Sequence, residues 1–318
     1  MKMGKQKLTL GIDLGGTFIK LGLVDAEGQI VQKISVDTCA NEGINKVFEQ
    51  IEKGVKEITT DNKIKLEGIG IGVPGLVSDK GEINNPPNLP GWGKVPVKEK
   101  LERILNYPVF VENDANAAAI GELIYGASKN LNNFIMLTIG TGVGGGIIIN
   151  RKIFRGEIGA AGELGHVTVD YKGNRCNCGN IGCVESYVGN NYLVARVKKQ
   201  LENNKNSLIY ELCENNLENL TPKIISQAAH QGDDFANKVI IETGNYLGVA
   251  LVSIMNVLDI ATVIVGGGLS GFGDTLFKSI EDTIKDRIFS VIGDRVKVIP
   301  AALKNDAGIL GAAALVHH

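Results

Sequence analysis

The alternation of apolar and polar positions predicts short strands at the start of the chain. Leu8–Asp13 reads as a strand, the turn Leu14-Gly15-Gly16-Thr17 follows, and Phe18–Asp25 is strand-like again. Asp25-Ala26-Glu27-Gly28 predicts a hairpin turn into Ile30–Val36. The period then changes. Ile44, Val47, Phe48, Ile51, Val55 and Ile58 fall on one face of a helix over Gly43–Ile58, with charges opposite. Lys65–Val77 predicts a buried strand closing in the turn Val73-Pro74-Gly75. Asn84–Trp92, dense in Pro, Asn and Gly, is a loop that serves either as a rigid surface turn or as a stiff substrate contact. Tyr107–Val111 reads as another strand, giving way to an alanine-rich helix, Ala115–Tyr125.

A second β unit begins at Asn133, with Phe134–Ile139 as strand, Gly140–Gly145 as turn and Gly146–Asn150 as strand. Its likeness to residues 8–24 suggests an internal duplication. Val188–Leu201 is helical in pattern, Glu202–Asn219 is polar and expected to be mobile, and helices are expected around Ile224–Gln231 and Asp234–Ala250. The last helix continues as Leu251–Leu258, apolar nearly all round and therefore expected to be buried. Ala261–Val265 is a strand ending in Gly266-Gly267-Gly268, Val296–Ala301 the last strand, and Asp306–Val316 the last helix with Asp306 as N-cap. The fold class is α/β.

At 318 residues the chain is long enough for two domains. Its 44% hydrophobic and 21% charged residues are ordinary for a globular enzyme, and a net charge of -2 argues against a nucleic-acid or anionic-membrane partner. Neither a secretory leader nor an uncharged apolar stretch of ~18 residues is visible. Five cysteines, an odd number with three inside eight residues, suit a reducing compartment, so a cytoplasmic location is expected.

Glycine is abundant, at 41 residues, and clusters beside apolar strands, where the lack of a Cβ lets backbone approach a ligand. Gly140-Thr141-Gly142-Val143-Gly144-Gly145 has the G-x-G-x-x-G spelling of a dinucleotide turn. That motif needs a following helix to hold pyrophosphate, whereas Gly146-Ile147-Ile148-Ile149 is strand-like, so the dinucleotide reading fails. The remaining reading is a hairpin whose amides and threonine hydroxyl face anionic oxygens. Gly15-Gly16-Thr17 is its counterpart. Asp114 stands where strand passes into helix, so its carboxylate is either a helix cap or a base facing a crevice. A base associated with phosphate-holding turns points to phosphoryl transfer to a hydroxyl.

His166, Cys176, Cys178 and Cys183 form H-x9-C-x-C-x4-C. Three thiolates and an imidazole close a tetrahedral Zn²⁺ shell of the structural type. Such an ion would shape a glycine-rich loop and hold the flanking carboxylates Glu163 and Glu185 as acceptors for a polyol.

Several segments together resemble the ROK family (repressors, uncharacterised frames and sugar kinases), and within it the bacterial glucokinases. They are Asp13-Leu14-Gly15-Gly16-Thr17-x-x-Lys20, Pro87-Asn88-Leu89-Pro90-Gly91-Trp92, Glu112-Asn113-Asp114-Ala115-Asn116-Ala117, and Ala161-Gly162-Glu163-Leu164-Gly165-His166 with the cysteine cluster through Glu185. The resemblance implies a two-lobed, duplicated actin- and hexokinase-like (ribonuclease H-like) fold with a structural zinc site. The expected lobes are residues 1–118, with the helix 304–318 packing back on them, and 119–303. It implies Asp114 as base, with Gly75, Asn88, Asn113, Glu163, His166 and Glu185 near the sugar. His166 would ligate zinc through one ring nitrogen and donate to a sugar hydroxyl through the other. Asp13 (toward Mg²⁺), Gly15, Gly16, Thr17, Lys20, Gly140, Thr141, Gly142 and Gly266–Gly268 would meet ATP. Implied partners are glucose, ATP and further copies of the chain in a homodimer or homotetramer. With the first phosphate motif so near the first residue, no helix-turn-helix segment is expected in front, which favours a kinase over a regulator.

Overall fold

The computed structural model describes residues 7–60, 65–84, 86 and 89–318. Among them the chain forms two compact units. The first comprises the described residues within 1–132, 146–162 and 302–318; the second comprises 133–145 and 163–301.

In the first unit a five-stranded sheet runs in the order Ile30–Asp37, Phe18–Val24, Lys7–Leu14, Lys65–Val73, Val109–Asn113. The first three strands are antiparallel, as the expected hairpins require, and the last two join in parallel. Lys65–Val73 stops before Pro74, and Leu76–Val77 belongs to a separate three-stranded sheet, so the expected single strand to Val77 is two elements. Proline lacks the N–H that would continue the ladder, and Gly75 then turns the chain at φ +86°.

Helix Ile44–Ile58 buries Val47, Phe48, Ile51, Val55 and Ile58 as its periodicity requires. Phe48 also stacks on Trp92 at 5.8 Å between ring centroids. Trp92 and Leu89 therefore anchor the proline-rich loop into this core, and the indole ring is buried packing. Asn88 lies outside the described residues.

The C-terminal helix, Ala307–Ala314, packs against the central strands and against helix Asp114–Ile124. Small residues permit this: a Cβ on Gly70 would lie 1.7 Å from the carbonyl oxygen of Ala312. Asp306 occupies the N-cap position but makes no capping bond, because its carboxylate pairs with Lys33 at 3.1 Å.

A second five-stranded sheet has the order Lys152–Ile153, Val143–Ile149, Phe134–Ile139, Thr262–Gly266, Lys297–Pro300. By sequence order this repeats the first sheet, third-second-first-fourth-fifth, which is the signature of the duplication. Val143–Ile149 continues as strand after the glycine turn, so no helix is present to receive a pyrophosphate.

Two expectations for the second unit need correction. The segment Glu202–Asn219 contains a short helix, Leu208–Leu212, and its Ile209 and Cys213 are fully buried. Sparse apolar residues there anchor a polar stretch. Helix Asp234–Leu258 runs unbroken for 25 residues, but its last turns are not buried all round: Leu251 and Met255 face inward while Val257 is 82% exposed. The helix packs mainly on Asp274–Arg287, with further contacts to Pro222–His230 and Glu185–Val188. It is long and apolar enough to cross a membrane by length and composition, with half of its most apolar window buried in the protein.

Candidate functional site

In the first unit the site residues collect at the ends of the parallel strands. Strand Val109–Asn113 hands over to helix Asp114–Ile124 without a connecting loop. Asn113 is the N-cap: its Oδ1 accepts from the N–H groups of Ala115 at 2.9 Å and Asn116 at 3.1 Å. Its amide nitrogen donates to the carbonyl of Gly75 at 3.0 Å, tying the helix start to the turn after Lys65–Val73. The capping role thus belongs to Asn113, and Asp114 is the first helical residue. Its side chain is exposed, and Oδ1 accepts from the N–H of Ala115 at 2.8 Å.

Asp13 lies near the end of the central strand, opposite Lys20 in register, and their side chains pair at 3.4 Å. Between them the Gly15-Gly16-Thr17 turn closes through the N–H of Gly15 donating to Phe18. Fully buried Thr38 braces it: its hydroxyl donates to the Gly15 carbonyl at 2.7 Å and its N–H to the Thr17 carbonyl at 2.9 Å. Thr17 and Lys20 are left exposed.

In the second unit the Gly140–Gly142 turn is held by the segment that follows the cysteines. The N–H of Asn190 donates to the Gly140 carbonyl at 2.9 Å, and Glu185 Oε2 accepts the N–H of Val143 at 2.9 Å. That carboxylate occupies the space where a Cβ of residue 142 would project, 2.5 Å away, so a larger residue there would have to displace Glu185. Gly266 ends its strand, Gly267 takes φ +86° against the backbone of Ile139, and Gly268 faces open space.

The ligand atoms of His166, Cys176, Cys178 and Cys183 all lie within 4.8 Å of one another. Cys178 and Cys183 sulfurs are 3.7 Å apart, and Cys176 Sγ is 3.8 Å from His166 Nδ1. Zinc–sulfur bonds of ~2.3 Å at tetrahedral angles give edges of about 3.7 Å, which these two separations match. The loop is prefolded by backbone bonds, including Cys176 N–H to Asn180 and Val184 N–H to Val167. Burial pushes the Cys183 thiol up to about 12 and raises Cys176, whereas the backbone N–H of Asn180 lowers Cys178. His166 directs Nδ1 toward the thiols and Nε2 toward Glu163, 3.8 Å away. Cys176 Sγ is 3.8 Å from Glu185 Oε1, so that carboxylate adjoins both the cysteine cluster and the glycine turn.

Sequence reasoning missed Thr38 and Arg155. Arg155 forms a fork onto Glu112, the residue before Asn113, through Nε at 2.8 Å and a terminal nitrogen at 2.7 Å. A threonine after a strand and an arginine 43 positions from its partner carry no local signal.

The model of the ROK family matches residues 9–318, and the chain belongs to that family. The chain is 34% identical to a glucokinase of Thermotoga maritima over 99% of its own length and 98% of that protein. It is 33% identical to a xylose repressor of Caldicellulosiruptor bescii, over 96% of this chain and 77% of that one. Its fold matches the crystal structure of a ROK glucokinase from Streptomyces griseus in complex with glucose and AMPPNP, with TM-score 0.83 and 35% identity over 97% and 98% of the two chains. The mixed α/β architecture is thus that of the hexokinase-like ROK sugar kinases.

Proposed function

We propose that this protein is an ATP-dependent hexose kinase that phosphorylates glucose on its 6-hydroxyl, with Asp114 as general base. One observation carries the reading. Asp114 is an exposed carboxylate at the junction of a strand edge and a helix N-terminus, with its backbone fixed by the Asn113 cap and the Asn113–Gly75 bond. Phosphoryl transfer needs such alignment more than covalent chemistry from the protein. Asp114 takes the proton of the 6-hydroxyl as that oxygen bonds to the γ-phosphorus. The bond from the γ-phosphorus to the β–γ bridging oxygen breaks, and ADP and the sugar 6-phosphate leave. Gly75, Asn88, Asn113, Glu163, His166 and Glu185 are assigned to the sugar. The amides of Gly15, Gly16, Gly140 and Gly142, with Thr17, Thr141 and Lys20, are assigned to the phosphates, and Gly266–Gly268 to the adenosine. Asp13 would hold Mg²⁺ directly or through water.

Zn²⁺ bound by His166, Cys176, Cys178 and Cys183 would supply cross-linking of the loop, not chemistry. Five free thiols support action in the reducing cytoplasm, and a homodimer or homotetramer is the proposed assembly.

The glucokinase relatives support glucose as acceptor. The test is a coupled assay with Mg-ATP over glucose, mannose, fructose, N-acetylglucosamine and N-acetylmannosamine. Glucose should be turned over best; strong N-acetylmannosamine turnover without glucose turnover would reverse the assignment. The xylose repressor relatives support a second reading, a sugar-responsive regulator. Sugar binding by calorimetry without turnover of any hexose would favour it.

A further inference from the structure

We propose that Arg155, acting through the buried carboxylate of Glu112, is a positioning residue for Asp114; the inference rests on the reading of Asp114 as the base. Glu112 is 3% exposed and stands two residues before Asp114. Its Oε1 accepts the backbone N–H of Asn113 at 2.9 Å and the side-chain amide of Asn116 at 3.1 Å. One oxygen therefore spans the strand-to-helix junction from which Asp114 projects. The other oxygen receives both nitrogens of the Arg155 fork. A carboxylate this deep is costly without a charged partner, which the Arg155 guanidinium supplies, and its first oxygen is left to accept from both junction donors at once. Arginine suits the task because two N–H groups of its planar guanidinium converge on that one oxygen and fix its place, which a lysine point charge does not. Arg155 is itself fixed in its loop, its carbonyl accepting from the N–H of Ala161 at 3.1 Å.

This arrangement uses an ion pair to hold geometry. Glu112 is buried but the Arg155 side chain is 42% exposed, and a pair of this kind contributes little net stability, so its purpose is sought in what its carboxylate aligns. Loss of the fork would free Glu112 and let the first helical turn drift, and misplacement of a reacting group by ~1 Å costs up to ~10²-fold in rate.

The experiment compares Arg155→Gln, Arg155→Lys, the double variant Glu112→Gln/Arg155→Gln and Asp114→Asn in the hexokinase assay, with melting followed in parallel. Arg155→Gln should lower kcat by about 10- to 100-fold with KM for sugar and ATP little changed, and Arg155→Lys should recover part of the loss. The double variant carries no unpaired buried charge and should fold even where Arg155→Gln does not, yet kcat should stay depressed. Asp114→Asn separates the two levels of the argument. Normal turnover in that variant removes the base reading and this inference with it. If Asp114→Asn is inactive while folded Arg155→Gln or the double variant has wild-type kcat, only the positioning role is overturned. A loss of activity that merely tracks thermal unfolding, with kcat per folded molecule intact, would overturn it equally.

Discussion

Substituting Gly311 by alanine tests how the fold holds the helix that begins at Asp114. Gly311 lies on the C-terminal helix where it crosses Asp114–Ile124, and the crossing is glycine against glycine. A Cβ on Gly311 would sit 2.2 Å from the carbonyl oxygen and 2.5 Å from the carbonyl carbon of Ala117, and one on Gly121 would sit 2.9 Å from the Gly311 backbone. Every obstacle at residue 117 is backbone, so no side-chain rotation relieves the contact. Restoring ordinary van der Waals separation requires the helices to part by roughly 1 Å. Overpacking of this kind costs about 1–3 kcal/mol, and the better helix propensity of alanine offsets at most ~1 kcal/mol. For a chain of this size each kcal/mol lowers Tm by about 2–4 °C, so calorimetry should register a fall of several degrees. Because the displaced helix begins at Asp114, kcat should fall as well, by up to ~10²-fold for a 1 Å shift. Gly293→Ala is the control, since its Cβ would meet only Ile288 Cγ2 at an ordinary 3.7 Å. If Gly311→Ala melted and turned over like the wild type, the reasoning that close backbone packing sets the position of Asp114 would be wrong.

Asp114→Asn should reduce kcat by about 10²–10⁴-fold with little change in sugar affinity measured by calorimetry; near-normal turnover would remove the base assignment. Cys178→Ser should abolish stoichiometric zinc in elemental analysis and lower Tm, and prolonged chelation of the wild type should do the same. Full metal content with unchanged melting would defeat the zinc assignment. Gly308→Ala would drive a methyl to 2.6 Å from the Asp13 carboxylate, so the Mg²⁺ concentration needed for half-maximal rate should rise. An unaltered Mg²⁺ titration would dissociate Asp13 from the metal.

The elements most visible in the sequence were those in which each residue reports its own burial through local periodicity. The face of Ile44–Ile58 and the opening hairpins are of this kind, and the structure reproduces both. Asp114 could be singled out because the strand-to-helix transition is local, and the cysteine cluster because its ligands lie close in sequence. The same local reasoning failed at Leu251–Leu258. An apolar run looks buried from any direction, but among the described residues Val257 is left 82% exposed. It failed in the opposite sense at Glu202–Asn219, where a few apolar residues found partners that the polar average concealed.

Thus the sequence by itself determined the strand and helix types, the duplicated glycine turns and a donor set suited to zinc, since each depends on neighbours within a few turns or a short loop. Tertiary structure decided which oxygen and nitrogen atoms brace those features: Thr38 beneath the first turn, Glu185 beneath the second, and Arg155 behind Glu112. Hydrogen bonds between residues tens of positions apart form only once the chain is packed. Their energy depends on distance and burial, which no local pattern of residue types encodes.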